Sequence, residues 1–164
     1  MNPAPPARAL LRAATPDDVD AIVGLIQELA AFEKLSHLCV VTPQDLAPQL
    51  FGAQPAAQAV VAERAGTVVG FALFFTNFST FLGKPGLYLE DLYVQPAHRG
   101  AGIGRALLMH LSALAIERGY GRFEWSVLDW NVDAIAIYEK MGAKLLPEWR
   151  ICRVGGDALA DFGR

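Results

Sequence analysis

Three glycines at alternate positions, Gly100, Gly102 and Gly104, lie between Arg99 and Arg105 and divide an apolar stretch at 87–94 from a helical pattern starting at 101. A strand-to-helix turn of this kind leaves backbone N–H groups unpaired at the positive end of the helix dipole, and glycines let an anion approach them closely. A tight turn followed by close helix packing is the plainer explanation, although three alternating glycines exceed what a turn needs. No Gly-Lys-Ser or Gly-Lys-Thr follows, which excludes a Walker phosphate loop. The dinucleotide fingerprint counted from Gly100 and Gly102 asks for a glycine where Arg105 stands, which disfavours NAD. Basic residues at both ends suit a diphosphate that no metal neutralises, as in coenzyme A.

Periodicity around this turn predicts a mixed α/β order. A short strand is expected at 8–13, then a helix opened by Thr15-Pro16-Asp17-Asp18 and carried by Ile22, Leu25, Ile26 and Leu29 to about Leu35. Thr42-Pro43 repeats the start signal before Leu46 and Leu50. Residues 60–64 and 67–75, joined by Ala65-Gly66, read as a hairpin, and 87–94 as the next strand. A helix follows at 101–118, stopped by Gly119 and Gly121, then a strand at 123–128. Asn131 or Asp133 caps a helix to Met141, and 145–154 reads as a final strand. Without a repeat or internal linker, the expectation is a leader at 1–7 and a single domain at 8–164.

The 164 residues are 53% hydrophobic and 19% charged, enough apolar content to build one core. The net charge of −3 argues against nucleic acid or an anionic membrane as partner. No apolar run is long enough to cross a bilayer, and residues 1–11 lack the apolar stretch of a secretion signal, so cytoplasmic residence is the default expectation. Cys39 and Cys152 form no close pair, and His37, His98 and His110 lack ligand spacing; neither a disulfide framework nor a metal is expected.

Glu90 and Asp91 interrupt the apolar strand at 87–94. Adjacent side chains on a regular pleat point to opposite faces, so at least one carboxylate turns inward unless the strand lies at an edge and carries both in water. An inward acid is costly unless it is paired or has a task. Tyr138, beside Ala134, Ile135 and Met141, is either an ordinary core tyrosine or a reactive phenol.

The turn Arg99-Gly100-Ala101-Gly102-Ile103-Gly104 resembles the signature of the GNAT superfamily of acyl-coenzyme A-dependent N-acetyltransferases. Glu28-Leu29-Ala30-Ala31-Phe32-Glu33-Lys34-Leu35-Ser36, Leu87-Tyr88-Leu89-Glu90-Asp91-Leu92-Tyr93-Val94 and Leu128-Asp129-Trp130-Asn131 are similar to the diamine (spermidine/spermine) acetyltransferases and their thialysine-acetylating relatives. The similarity runs over about residues 10–153.

This resemblance implies a central mixed, mostly antiparallel sheet, splayed between its fourth and fifth strands and flanked by helices. It implies acetyl-coenzyme A as co-substrate, no metal, a small cationic amine attacking directly in a ternary complex, and a homodimer, for whose interface Phe81, Trp149 and the C-terminal segment are candidates that the sequence does not choose among. The coenzyme would be held at Leu92, Tyr93, Val94, Arg99, Gly100, Ala101, Gly102, Ile103, Gly104, Arg105, Asn131 and Ala134. Asn131 caps a helix, contacts the coenzyme, or does both. A β-bulge at Glu90-Asp91 would turn a backbone N–H toward the thioester, and amides of 92–94 would face the oxyanion.

An alkylammonium of pKa about 10.4 must lose a proton before it attacks, and Glu90, acting through a water, is the implied base. Tyr138 is the implied general acid. A phenol near pKa 10 gives its proton to a thiolate near 8.5 uphill by roughly 2 kcal/mol, so hydrogen bonding alone can suffice. The implied amine pocket comprises Phe32, Glu33, Glu90, Asp91, Glu124, Trp125, Ser126 and Glu148. Ser79 stands where polyamine-specific relatives place an aspartate, which weakens the case for long polyamines without choosing among spermidine, a short diamine and a lysine-like amino acid. An acyl-coenzyme A-sensing domain and a peptide-modifying acetyltransferase are the competing readings.

Overall fold

Local sequence signals set most element boundaries in the computed structural model, which describes residues 8–164. The leader expected at 1–7 lies outside those residues. The order is β1 (Leu10–Ala13), α1 (Val19–Phe32), α2 (Pro43–Phe51), β2 (Gln58–Arg64), β3 (Thr67–Ser79), β4 (Lys84–Val94), α3 (Ile103–Glu117), β5 (Arg122–Trp125), α4 (Val132–Lys140) and α5 (Asp157–Asp161). The residues form two compact units, one ending at Ser126 and the other Val127–Arg164.

The first unit holds one five-stranded sheet in chain order, antiparallel throughout except for the parallel pair β4–β5. Strand alternation sends Ala59, Val61, Phe71, Leu73 and Tyr93 into a core with Ile22, Leu25 and Leu29 of α1 and Leu46 and Leu50 of α2. The opposite face supports α3, whose Ile103, Leu107, Leu108, Leu111 and Ala115 are buried at helical spacing.

The second helix, α2, starts where its sequence predicts. Thr42 and Asp45 form a reciprocal capping box, with Asp45 N–H donating to Thr42 Oγ1 (3.2 Å) and Thr42 N–H donating to the Asp45 carboxylate (3.0 Å). Ahead of α1, a single 3-10 turn at Pro16–Asp18 replaces the first turn of the expected helix. The Asp18 carboxylate is committed there, accepting from Thr15 N–H (2.7 Å) and from both terminal nitrogens of Arg12 (2.7 and 2.9 Å). At the other end, Lys34 at φ +61° is left-handed, so α1 stops at Phe32 rather than at Leu35.

All five strands depart from their expected bounds, β2 starting at Gln58 and β4 at Lys84 rather than at 60 and 87, and one further expected strand does not form. β3 runs on to Ser79 because its hairpin with β4 continues to the pair Ser79–Lys84. β1 starts at Leu10 rather than Arg8. β5 ends at Trp125, because its last partner is Leu89, immediately before an irregularity in β4. Residues 145–154, expected as a strand, carry no strand at all. No strand exists among the described residues of that unit to pair with them, and Pro147 has no N–H to donate. Leu145, Leu146, Trp149 and Ile151 are exposed there.

Candidate active site

The irregularity in β4 follows from its sequence. Apolar residues stand at 87 and 89, then at 92 and 94, so a regular pleat would put the two pairs on opposite faces. The pairing register resolves this: Phe74 opposes Leu89 and Leu73 opposes Asp91, which leaves Glu90 as one extra residue in β4. Phe74 and Ala72 share a face, and their partners Leu89 and Leu92 therefore share it too. The bulge keeps the apolar residues in phase. It leaves Glu90 exposed and Asp91 half-buried on the α1 side, opposite Leu73.

β5 accompanies β4 only as far as Leu89, so beyond the bulge this edge of β4 is open in the sense that no strand among the described residues pairs with it. Gln95 N–H donates to Val69 O (2.9 Å), toward β3. Strand alternation then turns the N–H groups of Val94 and Leu92 toward the open edge and that of Tyr93 toward β3. Of the three amides expected to face the oxyanion, two are thus directed outward. This is also the splay between the fourth and fifth strands.

The open edge leads into the glycine loop. Gly100 (φ +80°) and Gly102 (φ +77°) are left-handed, and Gly102 is the N-cap of α3. The first bond into α3 is Ala106 N–H to Gly102 O (2.9 Å), so Ile103, Gly104 and Arg105 have no intrahelical acceptor for their N–H groups. Gly104 has an ordinary backbone; a Cβ there would lie 3.8 Å from Leu92 and 4.0 Å from Val94. Ala101 and Arg105 are exposed. The Arg99 side chain donates from Nε to Val94 O (2.8 Å).

Three carboxylates converge beside the bulge. Asp91 is pushed up from an ordinary 3.8 to about 6, chiefly by burial and then by the negative charges of Glu90 and Glu33. Glu33, the C-cap of α1, is also raised, by burial. A cation placed among these groups would relieve their mutual repulsion, so the cluster is built to attract one.

The other expected pocket residues on this unit have structural partners. Glu124 accepts from Asn77 Nδ2 (3.1 Å) and pairs with Arg122 (3.2 Å); Ser126 bonds Tyr88 through their hydroxyls (2.9 Å). Trp125 packs at 50° on Phe123, with centroids 4.8 Å apart. Phe32 is exposed at the end of α1. Ser79 is buried and its Oγ accepts from Leu82 N–H (3.3 Å), a turn-stabilising role. In the C-terminal unit Asn131 caps α4, accepting from Ala134 N–H (3.4 Å); Tyr138 is half-buried on that helix and Glu148 is exposed. Sequence reading missed one contact of the site region: Gln95 Nε2 donates to Glu28 Oε1 (2.9 Å), a tertiary pairing with no periodic signal.

The sequence profile described as the acetyltransferase (GNAT) family matches residues 26–143, which include the bulge, the glycine loop and Tyr138. The chain belongs to the GNAT family. It is therefore an acyltransferase, of a family that uses acetyl-coenzyme A as co-substrate. Among similar GNAT proteins is L-ornithine N5-acetyltransferase NATA1 of Arabidopsis thaliana, 37% identical over 91% of this chain and 85% of that protein. Thialysine N-epsilon-acetyltransferase of Mus musculus is 36% identical over 95% of this chain and 98% of its own length. Among solved structures, an integron cassette protein from V. cholerae superimposes with a TM-score of 0.79 at 26% identity, covering 94% of this chain and 97% of that one.

Among the described residues no group of three or more His, Cys, Asp or Glu is placed to hold a metal ion. No helix among them is long and apolar enough to cross a membrane.

Proposed function

We propose that this GNAT enzyme transfers an acetyl group from acetyl-coenzyme A to the primary amine of a small cation, a lysine- or ornithine-like amino acid or a short diamine, in a ternary complex in the cytoplasm. The observation that carries this reading is the convergence of Glu33, Glu90 and Asp91 at a strand bulge that opens directly onto a glycine loop with unpaired amides. The names of the ornithine- and thialysine-acetylating relatives support the substrate class. Ser79, an uncharged residue where the resemblance places an aspartate in polyamine-specific relatives, supports a shorter amine over a long polyamine.

In this reading the amides of 100–105 hold the diphosphate, and the outward N–H groups of Leu92 and Val94 receive the pantetheine arm and the oxyanion. Phe32, Glu33, Asp91, Glu124, Trp125, Ser126 and Glu148 form the amine pocket. Glu90, the exposed member of the acid pair, takes the ammonium proton through a water, and Tyr138 donates to the departing thiolate. Asn131 and Ala134 complete the coenzyme contacts. The working unit is a homodimer.

The test is free-thiol release from acetyl-coenzyme A with thialysine, ornithine, lysine, putrescine, spermidine and a peptide. Turnover is expected with the short amines. Release with the peptide alone would replace this reading with protein acetylation, and release with none of them would favour a coenzyme sensor. Tyr138→Phe is expected to lower kcat on the order of 100-fold while leaving coenzyme affinity nearly unchanged.

A further inference from the structure

Arg99 opens the glycine loop, yet its side chain is engaged on the side of the amine pocket. The guanidinium carbon lies 5.2 Å from the centroid of Phe32 and 5.2 Å from that of Tyr93, while Nε donates to Val94 O. One planar cation thus touches two aromatic rings and the open edge of β4. Four residues earlier, Gln95 grips Glu28. Glu28 and Phe32 are one turn apart on α1 and share a stripe of that helix. The final turn of α1 is therefore held at two points by the segment that leads into the loop, and the residue that follows it is Glu33.

We propose that Arg99 is a positioning residue that couples coenzyme binding to amine binding, by fixing the last turn of α1 and with it Glu33 to the segment that enters the glycine loop. The inference rests on the reading of the loop as the coenzyme site and of Glu33 as part of the amine pocket. A loop ordered by a diphosphate holds Arg99 on Phe32 and Tyr93, and this pre-sets the carboxylate cluster for the ammonium. By linkage, the amine strengthens coenzyme binding by the same factor.

Calorimetry tests this with coenzyme A, which cannot acetylate, and thialysine as probes. Each is titrated into the enzyme alone and into enzyme saturated with the other. The wild-type enzyme is expected to show each ligand tightening the other by about fivefold or more. In Arg99→Met the factor falls to about 1, and Arg99→Lys, which keeps a cation for the rings but not the planar fork, retains part of it. Phe32→Leu removes one ring while leaving Arg99 in place, and is expected to reduce the same factor. It keeps the test decisive if Arg99→Met does not fold.

A wild-type factor near 1, or full coupling retained in the folded variants, overturns the positioning role alone. So does weakened coenzyme binding in Arg99→Met at unchanged coupling, since that marks a direct phosphate ligand. No heat with coenzyme A in the wild type overturns the proposed function and this inference with it.

Discussion

Replacing Asp91 with asparagine is expected to stabilise the fold at neutral pH, against the usual effect of mutating a half-buried polar residue. The carboxyl is held at about 6 in the folded chain, against an ordinary 3.8, because burial and the charges of Glu90 and Glu33 disfavour its ionised form. Between those two values the folded state binds more protons than the unfolded state, so this group's contribution to stability falls as pH rises through the window. Below about 3.8 it costs nothing, and above about 6 the penalty is complete. At 1.36 kcal/mol per pH unit, the gap amounts to about 3 kcal/mol. An amide is close in shape to the protonated acid and never ionises.

Urea unfolding of both proteins, followed by far-ultraviolet circular dichroism from pH 3.5 to 7.5, reads out the difference directly. Titrations common to both proteins, Asp18 among them, largely cancel in the subtraction. The advantage of Asp91→Asn is expected to grow by about 3 kcal/mol, with its midpoint between the two pKa values. A difference that stays flat across this range, or a variant less stable at pH 7.5 than at 3.5 relative to wild type, would falsify the claim that Asp91 is a strained carboxylate awaiting a cation. Acylation activity is expected to move the other way, since the amine loses one of its three anionic partners.

The two inner glycines of the loop should separate cleanly by melting temperature. Gly102→Ala forces a left-handed backbone at an otherwise open site and costs about 1–2 kcal/mol, whereas Gly104→Ala meets only ordinary contacts and leaves the melting temperature unchanged or higher; equal losses would refute the distinction. Asp18 is held down at about 2, first by its bond to Arg12, so its contribution is present above pH 3.8 and disappears as pH falls through 2. Asp18→Asn is accordingly expected to lose about 2 kcal/mol at pH 7 in urea unfolding, and a loss that persists undiminished at pH 2 would contradict the ion-pair account.

The helix start at Thr42-Pro43, the hairpin at Ala65-Gly66 and the glycine loop were all legible in the chain, because capping, turn and left-handed requirements act within a few residues; at Thr15-Pro16 the same signal opens a 3-10 turn ahead of α1. The clash between Glu90-Asp91 and their apolar neighbours was also legible, and the family resemblance supplied a bulge as its resolution. The phase of Leu87 and Leu89 against Leu92 and Val94 carried the same information locally.

What the residue order determined by itself is therefore the set of local devices: caps, periodic faces and a loop with amides to spare. Tertiary structure alone decided that 145–154 makes no strand, that Arg99 lies on Phe32 and Tyr93, and that Asp91 feels Glu33 from 58 positions away in the chain. The physical reason is that strand pairing, ring stacking and a carboxyl's charge cost depend on what lies across space, and no local pattern encodes the neighbour.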